Sequence, residues 1–268
     1  MRTLNPDGVS LKGCAYIYAS GGQAGEYSPL TVNPYDGCGH RCVYCYVPSA
    51  RHITREQFDA GAKDRENYPV LLRKDAAHYQ RAGITEQCLI SFTSDPYHPF
   101  DTSLTRECLM ILRDYGLAWC TLSKGGTRAL RDLDLFRPDR DAYAATLTTL
   151  DDALSLKFEQ DAPLPDDRIA ALRAFREAGI FTWVSLEPVL SPEHSLTVIT
   201  ATHEYVDLYK CGRANRMGAL TRNTDWQEYT RRLIELLNRL GKPHYVKHDL
   251  QKYLPPDYPN PQRVPQHH

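Results

Sequence analysis

Three cysteines, Cys38, Cys42 and Cys45, fall in the run NPYDGCGHRCVYCY with the spacing C-x3-C-x2-C. Thiolates are soft ligands that suit zinc and iron–sulfur centres. A structural zinc wants four protein ligands, and no fourth cysteine follows nearby. Two arrangements meet that donor set. In one, His40 or His52 completes a zinc site. In the other, three thiolates hold three irons of a [4Fe–4S] cluster and the fourth iron keeps an open position. Zinc motifs usually come as two cysteine pairs, and no second pair is present. Gly37 and Gly39 flank Cys38 and permit the backbone turns that wrapping a cluster requires.

The other five cysteines (Cys14, Cys88, Cys108, Cys120 and Cys211) are dispersed singly, as expected of thiols that pack as small hydrophobes. No apolar run approaches the ~20 residues that span a bilayer, and the N-terminal residues carry no apolar signal core. The expectation is a cytoplasmic protein with no membrane partner, in a compartment where disulfides are rare. A net charge of −1 argues against a strongly cationic nucleic-acid coat.

Elements that could position the three thiols are legible from the apolar pattern. Short β-rich runs at 30–34, 88–93, 117–122, 142–148, 180–187 and 205–210, with a seventh at 244–247, alternate with helical stretches. That alternation predicts βα units and a parallel sheet. Segments 103–115 and 165–178 read as helices stopped by Gly116 and Gly179. Segment 225–240 reads as a helix opened by a Thr224–Gln227 capping box. Six strands with intervening helices are too few for a full eight-fold barrel. The fold class expected is therefore α/β, an incomplete (β/α)6 barrel over 30–254 with a C-terminal helix/strand extension. Residues 1–29 read as an N-terminal extension packing on it, and 255–268 as a Pro-rich tail ending in two histidines. Cys38 follows the first strand, at the strand end where barrels build their sites.

C-x3-C-x2-C with the aromatic Tyr44 before the last cysteine resembles the radical S-adenosylmethionine (radical SAM) enzymes. The resemblance implies a [4Fe–4S] cluster whose open iron takes S-adenosylmethionine, reductive cleavage to a 5′-deoxyadenosyl radical, and hydrogen abstraction from substrate. It also implies an electron donor of the flavodoxin or ferredoxin type. Within that superfamily CVYCY at 42–46, TSD at 93–95, SKGGTRALRDLDLF from Ser123 and the stretch from Phe158 through DDRIAALRAFREAGI are similar to the spore photoproduct lyase branch. Carried over position by position, Ser94, Lys124 and Thr146 would contact S-adenosylmethionine, Arg168 would add a second cation, and Tyr44 would touch the adenine through its backbone. Tyr46 matches a tyrosine of the lyase hydrogen-transfer chain.

One position departs from the lyases. They carry a hydrogen-donor cysteine immediately before Thr-Ser-Asp, where this chain has Phe92. Cys88 lies about 13 Å further back along the strand. Cys120 and Cys211 are the cysteines expected nearer the barrel mouth. The substrate implied is a nucleic acid or nucleotide, acted on by a different hydrogen return, with a peptide or small metabolite as the alternative. Seventeen tyrosines suit base stacking, and Arg51, His52, Arg55, Arg128, Arg213, Arg216 and Arg222 supply loop cations. The acid-free segment 211–223 is expected to bind an anion at the mouth.

Overall fold

Successive side chains of a strand point to opposite faces, and that alternation separates two interiors in this protein. The computed structural model describes residues 11–215 and 217–259. In chain order the strands are β1 (Tyr18–Ala19), β2 (Leu30–Val32), β3 (Tyr35–Asp36), β4 (Lys63–Asp64) and β5 (Cys88–Ile90). They continue with β6 (Trp119–Ser123), β7 (Ala142–Thr146), β8 (Phe181–Ser185), β9 (Leu208–Cys211) and β10 (His244–Val246). Eight form one sheet in the order β1-β2-β5-β6-β7-β8-β9-β10. From β2 to β10 every neighbour is parallel, and only β1 runs antiparallel. Strands added in sequence order by crossovers of one hand keep their helices on one face and curl the sheet. The sheet remains open, with β1 and β10 as its two ends. This is the expected partial barrel, and β10 is the strand of the C-terminal extension.

On the outer face the Tyr143 ring stacks on Phe175 at 4.1 Å, which fixes helix Pro165–Glu177 against β7. Inside the curve, Leu89, Cys120, Ala142, Ala144, Trp183 and Leu208 form a second apolar cluster with Tyr27. Toward the C-terminal strand ends the inner face turns polar at Thr146, Ser185 and Lys210. Tyr27 and Glu26 seal the gap beside β10: Glu26 Oε1 accepts from Tyr245 Oη at 3.1 Å and from the His248 amide at 2.7 Å.

Two local expectations need correction, and two further elements had no counterpart in the sequence reading. Helix Trp226–Arg239 is capped by Asp225, which accepts from the Glu228 amide, because the Thr224 hydroxyl is already donated to the Leu220 carbonyl. The run after Lys124 forms a series of 3-10 turns, Gly126–Leu135. The sixth barrel strand begins at Leu208 rather than 205, because His203–Tyr205 closes the preceding helix with a 3-10 turn. The ribbon of β3 and β4 was not expected, since two residues carry no alternation. Residues 1–10 and 260–268, including the two terminal histidines, lie outside the described residues, as does Arg216. Among the described residues no helix is long and apolar enough to cross a membrane.

Lys210 shows what the polar inner face costs. Its ammonium sits 4.3 Å over the Trp183 ring and donates to the Tyr27 carbonyl at 2.6 Å, fully buried. Burial first, then the charge of Lys247, lower its pKa to about 7, against an opposing pull from Cys120. The unfolded chain therefore holds this proton to higher pH than the folded one, and stability rises with pH from about 7 toward 10.5. Each unit of such a depression corresponds to about 1.4 kcal/mol. In Lys210→Met that rise should vanish from denaturant-unfolding curves taken between pH 7 and 10. An unchanged slope would show that Lys210 does not carry it.

Candidate active site

The cysteine loop is tied down by its backbone before any ligand is considered. The Cys38 amide donates to the Phe58 carbonyl at 3.2 Å, Val43 to Phe158 at 2.9 Å, and Cys45 to Cys42 at 3.1 Å. Cys42 forms a β-bridge with Glu159, and the Arg55 guanidinium donates to the Cys42 carbonyl. The β3/β4 ribbon closes the base of the loop. Gly37 is required in the motif: it has φ +86°, and a Cβ there would overlap the Gly61 carbonyl oxygen. Ser94 Oγ donates to the Gly37 carbonyl at 2.5 Å, tying the loop to the residues after β5.

The three cysteines line a cavity of 640 Å³ at the C-terminal end of the sheet. Tyr44, Tyr46, Ser94, Lys124 and Thr146 line the same cavity, so eight of the nine sequence-predicted site residues meet there. Lys124 lies 5.6 Å over the Tyr44 ring, and its backbone amide donates to Asp95 at 2.8 Å. Burial opposes its charge, but Cys42 and Glu159 outweigh that and raise its pKa. Phe92 forms part of the wall, with its ring 5.9 Å from that of Tyr46 and 5.5 Å from that of Tyr27.

Arg168 is the exception. It does not line the cavity; it is buried behind it, donating to Glu159 Oε2 at 2.6 Å, to the Thr146 carbonyl at 3.1 Å and to the Pro163 carbonyl at 2.8 Å. Tyr44 Oη donates to the other Glu159 oxygen. Burial pushes the Glu159 carboxyl up, but Arg168, Lys124 and the Tyr44 bond outweigh it and hold it below the usual carboxylate range. On the other side of the loop His40 Nδ1 faces Asp95 at 3.3 Å, and Asp95 also accepts from Ser123 Oγ at 2.5 Å. Two buried acids, Glu159 and Asp95, thus anchor the cysteine loop to the strand ends.

The opposite wall was not anticipated. It consists of Tyr27, Ser185, Glu187, Asn215 and Lys247. Glu187 accepts from Tyr27 Oη at 2.9 Å, from Asn215 Nδ2 at 3.1 Å and from Lys247 Nζ. Glu187 and Lys247 stand just past strand ends, a signal that could have marked them. For Tyr27 no local signal existed, because its partners Ser185 and Glu187 lie some 160 residues away in the chain.

Neither candidate thiol reaches the cavity. Cys120 packs in the barrel interior, accepting from Trp183 Nε1 at 3.1 Å, and Cys211 belongs to the outer core. Of the segment 211–223 only Asn215 lines the cavity among the described residues. Arg51, His52, Arg55, Arg128, Arg213 and Arg222 all stand outside the lining.

Three thiols lining one cavity are a donor set that suits an iron–sulfur cluster. All three are free. Among the described residues no three His, Cys, Asp or Glu side chains meet as ligands of one metal ion would. His40 is turned to Asp95 and His52 is exposed. Burial pushes the Cys42 thiol up to about 12 and raises Cys38 and Cys45 as well. Metal loading must therefore displace protons from all three.

A family model described as "Radical SAM superfamily" matches residues 32–206. An uncharacterized protein of Mycobacterium tuberculosis (strain ATCC 25618 / H37Rv) is 28% identical over 170 residues, which cover 60% of this chain and 49% of that protein. The chain thus spans about half the length of the curated relatives it matches. Streptococcus suis SuiB bound to S-adenosylmethionine has the same fold at TM-score 0.63 and 13% identity, covering 84% of this chain and 52% of that one. A spore photoproduct lyase mutant with dinucleoside spore photoproduct gives TM-score 0.64 at 12% identity, covering 88% and 80%.

Proposed function

The chain belongs to the radical SAM superfamily, and from that premise we propose that Cys38, Cys42 and Cys45 hold three irons of a [4Fe–4S] cluster beside bound S-adenosylmethionine. The observation that carries this reading is the meeting of three free thiols with Ser94, Lys124, Thr146 and Tyr44 on one cavity. When bound, the cluster supplies the electron that cleaves S-adenosylmethionine to methionine and a 5′-deoxyadenosyl radical. The electron comes from a flavodoxin- or ferredoxin-type donor.

The chain's own residues position and shield. Lys124 offers its ammonium to the methionine carboxylate as a point charge, and Thr146 offers a hydroxyl to the ribose side. Ser94 holds the Gly37 carbonyl and with it the entry to the cluster loop. Arg168 acts one layer back, neutralising Glu159 and so keeping Cys42 and Tyr44 in place. Phe92 closes the wall with a ring that has no weak X–H bond to give. With Cys120 and Cys211 outside the cavity, Tyr46 is assigned the hydrogen-transfer role.

The substrate class we favour is a nucleic acid or nucleotide. The aromatic rings of Tyr18, Tyr46 and Phe92 along one cavity give a planar base surfaces to stack on.

Anaerobic reconstitution with iron and sulfide tests the first level. The expected outcome is a brown protein that forms 5′-deoxyadenosine from S-adenosylmethionine and dithionite. A colourless protein forming none would overturn the cluster reading. Deuterium transfer from a labelled oligonucleotide into 5′-deoxyadenosine tests the substrate class.

A further inference from the structure

The wall opposite the cysteines carries information that the radical chemistry does not use. Its central group is the Glu187 carboxylate, which receives three donors: Tyr27 Oη, Asn215 Nδ2 and Lys247 Nζ. Asn215 Nδ2 also donates to Asp249 Oδ2 at 2.5 Å. An amide nitrogen has two protons, and both are taken by carboxylates. The flip of Asn215 is thereby set, and the function it leaves over is its carbonyl oxygen, an acceptor. Lys247 is spent on Glu187 and lies 4.0 Å from Glu26, so its charge is covered by acids. The groups offered to a ligand at this wall are therefore acceptors, fixed by a hydrogen-bond network whose members leave little room to move.

Acceptors held rigidly in a cavity select a ligand that brings donors, because a ligand without them leaves buried polar groups unpaired. The flat surface beside this wall is the half-buried ring of Phe92, propped at 5.5 Å by Tyr27, whose own ring is covered by Lys247 at 4.5 Å. A planar ring with N–H groups on one edge satisfies both features at once. We propose that Glu187 and Asn215 form the specificity pair of the active site, reading the N–H donor edge of a nucleobase stacked against Phe92. The inference rests on the nucleotide reading of the same cavity and adds which residues recognise the base and by what edge. The recognition is by acceptors, in place of the basic loop residues suggested by the sequence.

The test is a paired-ligand measurement on the reconstituted enzyme, with S-adenosylhomocysteine present to fill the cofactor side. The probes are guanosine and thymidine monophosphates and their 1-methyl and 3-methyl counterparts, which lack the ring N–H. Wild type should bind at least one parent base about tenfold more tightly than its methylated form, the size of one or two lost hydrogen bonds. Asn215→Ala, which leaves the Glu187–Lys247 pair in place, should weaken the parent base and leave the methylated one unchanged. Glu187→Gln should narrow the same ratio. Equal weakening of both members of a pair would make the wall structural and overturn the proposal. So would binding of neither base, or binding of a peptide amide with the same dependence on Asn215. The basal formation of 5′-deoxyadenosine without substrate reads the cluster chemistry separately, so a failure here is not mistaken for a failure there.

Discussion

Serine at any one of Cys38, Cys42 or Cys45 should lower 5′-deoxyadenosine formation by at least about a hundredfold, with iron content falling in parallel. Losing a mere outer-shell partner of a metal already costs about 10–100-fold, and these residues supply the ligand atoms themselves. The fold should survive, because the loop is held by backbone bonds from Cys38 to Phe58 and from Val43 to Phe158 that do not use the sulfurs. Circular dichroism checks that point. Cys14→Ser is the matched control: Cys14 is half-buried and lies outside the cavity, so its variant should load iron as wild type does. A ligand variant that keeps full iron and full turnover would remove that cysteine from the site.

The largest effect on stability is expected at Arg168→Met. Arg168 and Glu159 are each about 1% exposed and pair at 2.6 Å. Removing one partner of a buried pair costs about 3–5 kcal/mol, because the other is left charged and unsolvated. At roughly 2–4 °C per kcal/mol for a chain of this size, the apparent Tm should fall by about 6–20 °C. The double variant Arg168→Met/Glu159→Met removes the stranded carboxylate and should recover part of that loss. The same pair predicts acid sensitivity. A carboxyl held below its usual range contributes stability above that range, and the contribution is lost as pH falls through the folded value. Thermal scans from pH 7 down to 3 should therefore converge for wild type and the double variant. A single variant that melts within 2 °C of wild type would show that Lys124 and Tyr44 alone satisfy Glu159.

The two experiments separate roles that a single activity assay would merge. A cysteine variant loses the metal with the fold intact. An Arg168 variant loses the fold's hold on the loop, and iron follows as a consequence, since Glu159 bridges Cys42 and accepts from Tyr44.

Much of this site could be read before any coordinates. The spacing of Cys38, Cys42 and Cys45 is a local property, since three ligands of one centre must be close in the chain when one loop supplies them. The strands were legible because a parallel strand buried on both faces needs a continuous apolar run, and the helices because each buries one stripe. Ser94, Lys124 and Thr146 were marked by the resemblance to the spore photoproduct lyase branch, and their positions at or near strand ends agree with it, since in such folds the strand ends face the site.

What the tertiary structure alone decided is which polar groups face each other across the cavity. Tyr27 enters from the segment between β1 and β2 and meets Glu187 and Lys247 from the far end of the sheet. Arg168 turns from an expected cofactor contact into a clamp, because the Phe158–Pro163 stretch brings Glu159 between it and Tyr44. Cys120 and Cys211 point into apolar packing on opposite faces of the sheet, and Phe92 holds the wall. A ligand set within one loop is encoded by spacing. A pairing between distant strands depends on register, curvature and the face each residue takes, and no local pattern in the chain carries those three together.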